Sequence, residues 1–477
     1  MHEGSVTDWA TKEFGRAPLG DSRRTKRVVK MTVAAARRPS GRVSEVFNRA
    51  ADREGAYDFL ENPHVDADAL AASMFRATAE RARAMDCVYV AVDGSALSLS
   101  DENGSKGFGP VGSPNTPVKG LKVMNALAID RDGVPLGLID QLFWNRPPTE
   151  EGLTIAQRTE RNRLRPFDDK ETSYFVRAAE NAVERLAGEN IRAWVVIDRE
   201  ADNRDILLGL HKTGCIFTVR GRWDRKLLGE GKQSLLDLLD AQPSLGSHDV
   251  DVGRTGRRPA RRATLDVRAA IVTLRFGARS PEQETDGLRL YAVRVRENNG
   301  GHNALDWLLL TNAPVLTAEH ARAVIDSYRA RWRIEEFHRT WKQGECNVED
   351  AQLRSVDAII IWATILSAIA TRIERLKYFA RNKPQEPTSV ELAPEEIEAL
   401  KLDQRSRMTS KRRKVPEMPS IEEATRWIAE IGGWIGIRNG APGSITLARG
   451  LERLGYLVEG IALARQPPQG GRRKSTT

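Results

Sequence analysis

Two short apolar runs, each followed directly by an aspartate, are the feature that most constrains the fold. Residues 87–92 lead into Asp93, and residues 194–197 lead into Asp198. Short apolar runs of this kind are typical of strands buried on both faces. Because open α/β sheets place ligand-facing residues at the carboxyl ends of their strands, both aspartates are candidate site residues. Taken singly, each is explained more simply as a turn-capping residue, since Asp commonly initiates turns.

The elements around these runs indicate one kind of sheet. Residues 121–129 and 134–143 read as strands with a turn between them, which predicts a β-hairpin. A helix is expected at 173–186, and the strand that ends at Asp198 is followed by a helix and a strand at 215–219. Three adjacent strands, a helix and a further strand are the order of an α/β, ribonuclease-H-like core.

The length of the chain predicts further domains around this core. Its 477 residues are about three times the length of an ordinary domain. We expect a helical N-terminal domain at 1–70 and the α/β domain at 71–378, with a β-rich insertion at about 221–314. A helical C-terminal domain is expected at 379–477, with a basic tail from 470 onwards.

The N-terminal domain contains a basic helix. Asp21 is the expected N-cap, and Arg23, Lys26, Arg27 and Lys30 recur behind it at helical spacing. Such a face can follow one phosphate ridge of a nucleic acid, but many solvated surface helices carry the same stripe. The spacing alone favours neither interpretation.

The overall charge points to an anionic partner. The formal net charge is +9 and the isoelectric point is near 9.5, which favours nucleic acid or an anionic membrane surface. A chain that is 40% hydrophobic and 29% charged can bury a proper core, which excludes a disordered protein.

The cysteines and the apolar segments argue against a disulfide-rich, secreted or membrane protein. Three cysteines without a CxxC pair argue against a disulfide framework and a zinc site, and fit a reducing cytoplasm. The N-terminus has no apolar signal region, so we expect no secretory leader. The longest apolar run, 358–370, is too short to span a bilayer and is expected to be a buried core helix, so no membrane segment is predicted.

A polar stripe on a later helix supplies a third acidic candidate. Tyr328, Arg331, Glu335 and Lys342 lie on one helix predicted from about 317 to 344, and at these spacings they share an arc of about 60°. Glu336 points about 100° away from Glu335 on such a helix. Glu335 is therefore the candidate ligand, although an exposed face with ion pairs one turn apart would show the same spacing.

At this point the residues resemble a known family. The run YRARWRIEEFHRTWK at 328–342 closely resembles the Tyr-Arg-Glu-Lys signature of the insertion-sequence-four family of DDE transposases, the group of the transposon-five transposase. Residues 196–202 and 92–98 are similar to its second and first aspartate motifs. Residues 307–311, 19–25 and 54–59 also match in order, so that the resemblance spans about residues 8 to 375.

Three features depart from the family pattern. Gly94 follows the first aspartate where the family often has Thr. The strand at 120–125 lacks the aromatic and His residues that are common there, and the loop before it looks short.

The resemblance implies roles for individual residues. Asp93, Asp198 and Glu335 would be the catalytic carboxylates that hold two Mg²⁺ ions, with Mn²⁺ as a substitute and Asp93 bridging the pair. Trp307 would stack on a flipped base, and the remaining predicted DNA contacts are Arg23, Arg24, Arg27, Arg220, Tyr328, Arg331 and Lys342.

The resemblance also implies an activity. It predicts a bacterial, cytoplasmic and nucleoid-associated endonuclease and strand transferase that binds terminal inverted repeats through residues 1–70 and joins them to target DNA. The C-terminal helices would form a homodimer. Two alternatives stay open: a DNA-binding regulator or domesticated relative that does not cut, and a ribonuclease-H-like nuclease that hydrolyses without joining.

Overall fold

The computed structural model describes residues 5–101, 104–112, 118–147, 152, 154–229, 233–252, 260–276, 287–298, 304–407, 414–436 and 443–465. The expected basic tail lies outside the described residues. The chain divides into two compact units. The first comprises Met1–Met74, Leu99–Gly107 and Phe337–Thr477, and the second comprises Phe75–Ser98 and Phe108–Glu336.

The second unit is built on a ten-stranded mixed sheet among the described residues. Its strands are β1 (Cys87–Ser98), β2 (Gly109–Pro110), β3 (Lys119–Ile129), β4 (Pro135–Trp144), β5 (Arg192–Ile197), β6 (Ile216–Gly221), β7 (Ser247–Val252), β8 (Arg261–Arg275), β9 (Gly287–Glu297) and β10 (Asp306–Thr311). The order is β2-β3-β1-β5-β6-β10-β9-β8-β7, and β4 also pairs with β3. Strands β1, β5 and β6 are parallel, whereas β3, β4 and β10 pair in antiparallel fashion.

The predicted fold class is confirmed. The β3–β4 hairpin lies where the sequence predicts it, and a helix at Ser173–Ala187 separates it from β5. Helical regions precede and follow this mixed sheet in the chain. The architecture is that of an α/β, ribonuclease-H-like core with helical N-terminal and C-terminal regions.

Helices cover both faces of the sheet. The helices of this unit are α6 (Ile155–Leu164), α7 (Ser173–Ala187), α8 (Arg204–Lys212), α9 (Leu235–Asp240) and α10 (Ala318–Ala330). Because strand residues alternate between faces, Val88, Val90 and Val92 of β1 share one apolar cluster with α7. On the opposite face, α10 packs on β1, β5 and β6. There the Ser327 hydroxyl donates to Thr218 Oγ1 at 3.1 Å.

Strand β1 is longer than predicted. The strand does not end at Asp93, because antiparallel pairing with β3 continues to Ser98 while parallel pairing with β5 stops at Ala91. Asp93 therefore lies within a strand, just beyond the point where one of its two neighbouring strands departs. The polar residues after Asp93 stay extended because β3 continues to supply their hydrogen-bond partners.

The single helix predicted from about 317 to 344 is two helices. α10 ends at Ala330 and α11 (Trp332–Lys342) begins after Arg331. At this junction the Arg331 N–H donates to the Tyr328 carbonyl at 3.2 Å, and the Ile334 N–H donates to the Arg331 carbonyl at 3.1 Å. Bonds over three residues tighten the turn relative to an α-helix, so the stripe that assumed a continuous helix is rotated at this point.

The first unit consists of helices. They are α1 (Val6–Phe14), α2 (Ser22–Arg37), α3 (Val43–Val46), α4 (Ala50–Leu60), α12 (Val356–Asn382), α13 (Pro394–Arg407), α14 (Ile421–Ile431) and α15 (Ser444–Ala464). The unit boundaries fall within α5 (Ala67–Ala82) and α11. Asp21 caps α2 as predicted, since its Oδ1 accepts from the Arg23 N–H at 2.8 Å.

Helix α12 forms the apolar centre of the first unit. It packs against α2, α4 and α14. Its length and composition would allow a membrane span, but 83% of its most apolar window is buried inside the protein. The predicted core helix at 358–370 is thus confirmed, although it is longer than its apolar run.

Candidate active site

The register of the parallel strands brings the two aspartates together. The last pair between β1 and β5 is Ala91 with Val196, and each aspartate follows its partner of this pair by two residues. Positions two residues apart on a strand face the same side. Asp93, within β1, and Asp198, directly after β5, therefore lie at the same level of two neighbouring strands.

Asp198 also has the capping role that its position allows. Its Oδ1 accepts a hydrogen bond from the Glu200 N–H at 2.8 Å and begins the short helical turn Arg199–Ala201. An ionised carboxylate has two oxygens and about four acceptor sites. Capping this turn fixes the carboxylate without exhausting its capacity for other ligands.

Glu335 approaches the first aspartate from α11. A carboxylate oxygen of Glu335 and one of Asp93 lie within 4.8 Å of each other. Arg331, at the junction before α11, places its Nη1 3.2 Å from Glu335 Oε1. The neighbouring Glu336 instead forms an ion pair with Arg333. The two adjacent glutamates thus have different partners, and only Glu335 lies beside Asp93 among the described acidic residues of this helix.

The electrostatics of the site reflect crowded carboxylates. Burial, together with the negative charges of Glu335 and Asp198, raises the pKa of Asp93 to about 7, although the positive charge of Arg331 opposes the shift. Burial lowers the pKa of Arg331, but Tyr328 and the carboxylates outweigh burial, so that its pKa is raised overall. Like charges in a partly desolvated site repel one another, and a bound cation removes this repulsion.

The donor set fits a hard divalent cation. Asp93 and Glu335 offer carboxylate oxygens, which Mg²⁺ and Mn²⁺ prefer over nitrogen or sulfur. His338, which follows Glu335 by three residues on α11, is buried.

Three of the predicted DNA contacts lie together beside this site. The Trp307 ring meets the Tyr328 ring edge-on with centroids 5.4 Å apart, and Arg220 Nη1 donates to Tyr328 Oη at 3.4 Å. Trp307 is partly buried, and its ring packs against Tyr328. Lys342 lies at the end of α11 and pairs with Glu349 at 3.6 Å.

The three N-terminal arginines differ in their surroundings. Arg23 is 88% exposed and pairs with Asp21 at 2.9 Å. Arg24 Nη1 donates to the Leu19 carbonyl at 2.9 Å. Arg27 lies over α4, where a Cβ at Gly55 would come within 2.8 Å of its Nη1. DNA binding by these arginines stays a prediction.

An anchor for the loop after β6 was missed in the sequence. Asp202 Oδ2 accepts from the backbone N–H groups of Arg222 at 2.7 Å and Trp223 at 3.1 Å, while Asp202 Oδ1 binds Arg225. The side chain of Asp202 is completely buried. This aspartate ties the loop to the turn that begins at Asp198, and a contact over 20 residues leaves no local sequence pattern.

Comparisons with known families cover most of the chain. Residues 6–65 match the family described as Transposase DNA-binding, residues 176–372 match Transposase DDE domain, and residues 368–471 match Transposase Tn5 dimerisation domain. The DDE match includes Asp198 and Glu335 but begins after Asp93. The choice of Asp93 as a site residue therefore depends on its position beside Glu335.

These three matches agree with the family, the DNA-binding class and the nuclease class predicted from the sequence. A DDE domain implies bound divalent metal, and the DNA-binding and dimerisation domains imply DNA as a partner and association of two copies. The chain belongs to the Tn5-like DDE transposases.

Proposed function

We propose that this transposase performs cut-and-paste transposition at terminal inverted repeats. Water frees a 3′-hydroxyl at the transposon end, and this hydroxyl attacks the opposite strand to form a hairpin. A second water opens the hairpin, and the freed 3′-hydroxyl then attacks target DNA. The observation that carries the proposal is the approach of Asp93 to Glu335 within 4.8 Å beside the equivalent position of Asp198.

We propose Mg²⁺ as the physiological metal, with Mn²⁺ as a substitute. Asp93, Asp198 and Glu335 would hold the metal ions. When bound, the metal would supply charge neutralisation at the scissile phosphate and activation of the attacking oxygen. The raised pKa of Asp93 supports this assignment, because a compensating cation favours the ionised form of a carboxylate that is crowded by two others.

The protein's own residues orient the DNA. Arg331 is buried beside Glu335, so its guanidinium can bind a phosphate oxygen without leaving the carboxylate cluster. Tyr328 and Arg220 present a phenol and a second cation to the same region. Trp307 would hold the base that leaves the stack when the hairpin forms. A simple nuclease has no need of this last residue.

The remaining parts would hold and pair the transposon ends. Residues 1–70 would bind the inverted repeat through Arg23, Arg24 and Arg27, and residues 71–378 would cut it. Residues 379–477 would join two copies, so that each catalytic centre acts on the end bound by its partner. The protein would then act on chromosomal DNA in the bacterial cytoplasm, at the nucleoid.

A cleavage assay on the DNA that flanks the gene tests the proposal. Labelled duplexes carrying matched terminal repeats are incubated with the full chain, Mg²⁺ or Mn²⁺, and a target plasmid. The expected products appear in the order nick, hairpin, double-strand break and joined DNA, and EDTA abolishes all of them. Binding without any product would identify the DNA-binding regulator, and nicks without hairpin or joining would identify the simple nuclease.

A further inference from the structure

Two buried amides lie on the strands beside the first aspartate. Asn125 on β3 is the register partner of Asp93 on β1, and Gln141 on β4 is the register partner of Asn125. Asn125 is completely buried and Gln141 is 7% exposed. Gln141 Nε2 donates to Asn125 Oδ1 at 2.9 Å. A row of three polar side chains therefore crosses three neighbouring strands at the level of the site.

A β-bulge in β4 puts Gln141 in this row. Asn125 pairs with Gln141 and Ala126 with Asp140, but Leu127 pairs with Leu138, so Ile139 is an extra residue in β4. If β4 paired regularly beyond Leu138, Ile139 would lie opposite Ala126 and Asp140 opposite Asn125. A bulge of this kind re-aims a side chain next to a functional site.

The same bulge sends Asp140 to the other face. There the Asp140 carboxylate accepts from Asn181 Nδ2 at 3.1 Å and pairs with Arg185, both on α7. The Asp140 carboxylate is thus paired with a cation on the α7 face, whereas the Gln141 amide lies on the face of Asp93. The face of Asp93 carries neutral donors at this level in place of one more negative charge.

The hydrogen bond from Gln141 sets the orientation of the Asn125 amide. Strand β3 lies between β4 and β1. The Oδ1 atom of Asn125 points toward β4, where it accepts the hydrogen bond from Gln141. The NH₂ group at the other end of the planar amide therefore points toward β1. Directly opposed residues of an antiparallel pair have Cβ atoms about 5 Å apart, so Asp93 is within reach of these donors.

We propose that Asn125, held by Gln141, is a positioning residue for the metal-binding carboxylate of Asp93. The amide donates to one oxygen of Asp93 and fixes the rotation of the carboxylate, so that its other lone pairs face the ions. The inference rests on the proposed metal role of Asp93. Groups that orient a ligand in this way change metal affinity about 10- to 100-fold when they are removed.

The test measures Mn²⁺ binding to the full chain without DNA, by titration calorimetry and by the Mn²⁺-dependent rise in melting temperature. Asn125→Leu removes the donors at similar volume, Asn125→Ser keeps a shorter donor, and Gln141→Leu removes the orienting bond. Thr218→Val is the matched control, because Thr218 is equally buried on the same face of the sheet. Its hydroxyl accepts a hydrogen bond from Trp194 Nε1 at 2.9 Å and is not opposite Asp93.

We expect Asn125→Leu to weaken Mn²⁺ binding about 10- to 100-fold, Asn125→Ser and Gln141→Leu to weaken it less, and Thr218→Val to bind as the wild type. Wild-type affinity in Asn125→Leu overturns the inference. If that variant does not fold, wild-type affinity in both Asn125→Ser and Gln141→Leu overturns it. Asp93→Ala tests the metal site independently of Asn125. If this variant binds Mn²⁺ like the wild type, the proposed metal role of Asp93 is wrong.

Discussion

The Arg331 guanidinium lies 3.2 Å from the Glu335 carboxylate, one turn apart across the junction of α10 and α11. The side chain of Arg331 is only 10% exposed, so this cation is held inside the carboxylate cluster rather than at its rim. It partly compensates the charges of Asp93 and Glu335 when no other cation is bound. The charge balance of the site is therefore sensitive to pH.

The first prediction concerns that pH dependence. The pKa of Asp93 is about 7 in the folded chain and its ordinary value is 3.8, so the folded state binds this proton more tightly than the unfolded state. The stability gained in this way is complete below about pH 4 and is lost as the pH rises through 7. We expect Asp93→Asn to melt above the wild type at pH 8 in EDTA, and the difference to shrink toward pH 4.

Excess Mn²⁺ should reverse this order at pH 8, because only the wild type gains stability from the ion. Melting curves from pH 4 to 8, with EDTA or Mn²⁺, measure both effects. A difference in melting temperature that does not change with pH would contradict the assignment of the raised pKa to Asp93.

Removal of any one of the three carboxylates should abolish catalysis. We expect Asp93→Ala, Asp198→Ala and Glu335→Ala each to lose cleavage while end binding stays largely intact, because metal ligands are deleted and the arginines remain. Glu336→Ala is the matched control and should keep much of the activity, since Glu336 pairs with Arg333. Gel-shift and cleavage assays on the same end duplex measure binding and cleavage of each variant. Equal losses of cleavage in Glu335→Ala and Glu336→Ala would refute the choice of Glu335.

The salt dependence of end binding tests the basic helix α2. Each lost phosphate contact removes about one counterion from the slope of log affinity against log salt. We expect Arg23→Ala with Arg27→Ala to weaken binding and to flatten this slope by one to two units. Arg83→Ala, which removes an exposed arginine paired with Glu189, should leave it unchanged. An unaltered slope in the double variant would contradict the binding of DNA by α2.

Gly55 gives a second test of the same surface. A methyl group at this position would collide with the Arg27 guanidinium, which is the flexible end of its side chain. Gly55→Ala should therefore displace Arg27 without destabilising α4, since Ala is favoured over Gly by about 1 kcal/mol in a helix. We expect weaker end binding at an unchanged or raised melting temperature. A fall in melting temperature would mean that the backbone, not Arg27, gives way.

Trp307 distinguishes a transposase from a nuclease. Stacking on the indole can restore about 1–3 kcal/mol of the base stacking lost when a nucleotide is extruded. Trp307→Ala should leave the first nick nearly normal and slow hairpin formation and opening. Trp307→Phe retains a smaller stacking face and should be intermediate.

Loss of core packing would give a different result. Truncation of a buried Trp costs about 3–5 kcal/mol of stability and would impair every step alike. Single-turnover assays with intact and pre-nicked ends, combined with melting temperatures, separate the two. If nicking and hairpin formation fall together with the melting temperature, the main role of Trp307 is to pack against Tyr328.

Periodicity and strand-ending aspartates were enough to predict the hairpin, α7 and β5 almost to the residue. The strand at Asp93 and the helix at Arg331 were predicted less well, because their limits depend on long-range pairing and on a tightened turn. Sequence patterns could not reveal the Asn125–Gln141 pair, since one inserted residue in β4 decides which side chain faces the site. A signature of adjacent residues marks Glu335 in the sequence, so the triad could be proposed from it, whereas Asn125 and Gln141 lie on separate strands from Asp93.

Strand β10 has a hydrogen-bonded neighbour on each side, β6 toward the catalytic strands and β9 toward the arginine-rich β strands. A shortened version of the enzyme that lacks residues 222–305 would therefore turn the strand of Trp307 into an open edge. An exposed edge with an apolar run such as Leu308–Leu310 is a template for pairing between chains. Attempts to make a smaller enzyme for biotechnology should retain this sheet extension or place charged residues along β10, since a plain deletion would favour aggregation.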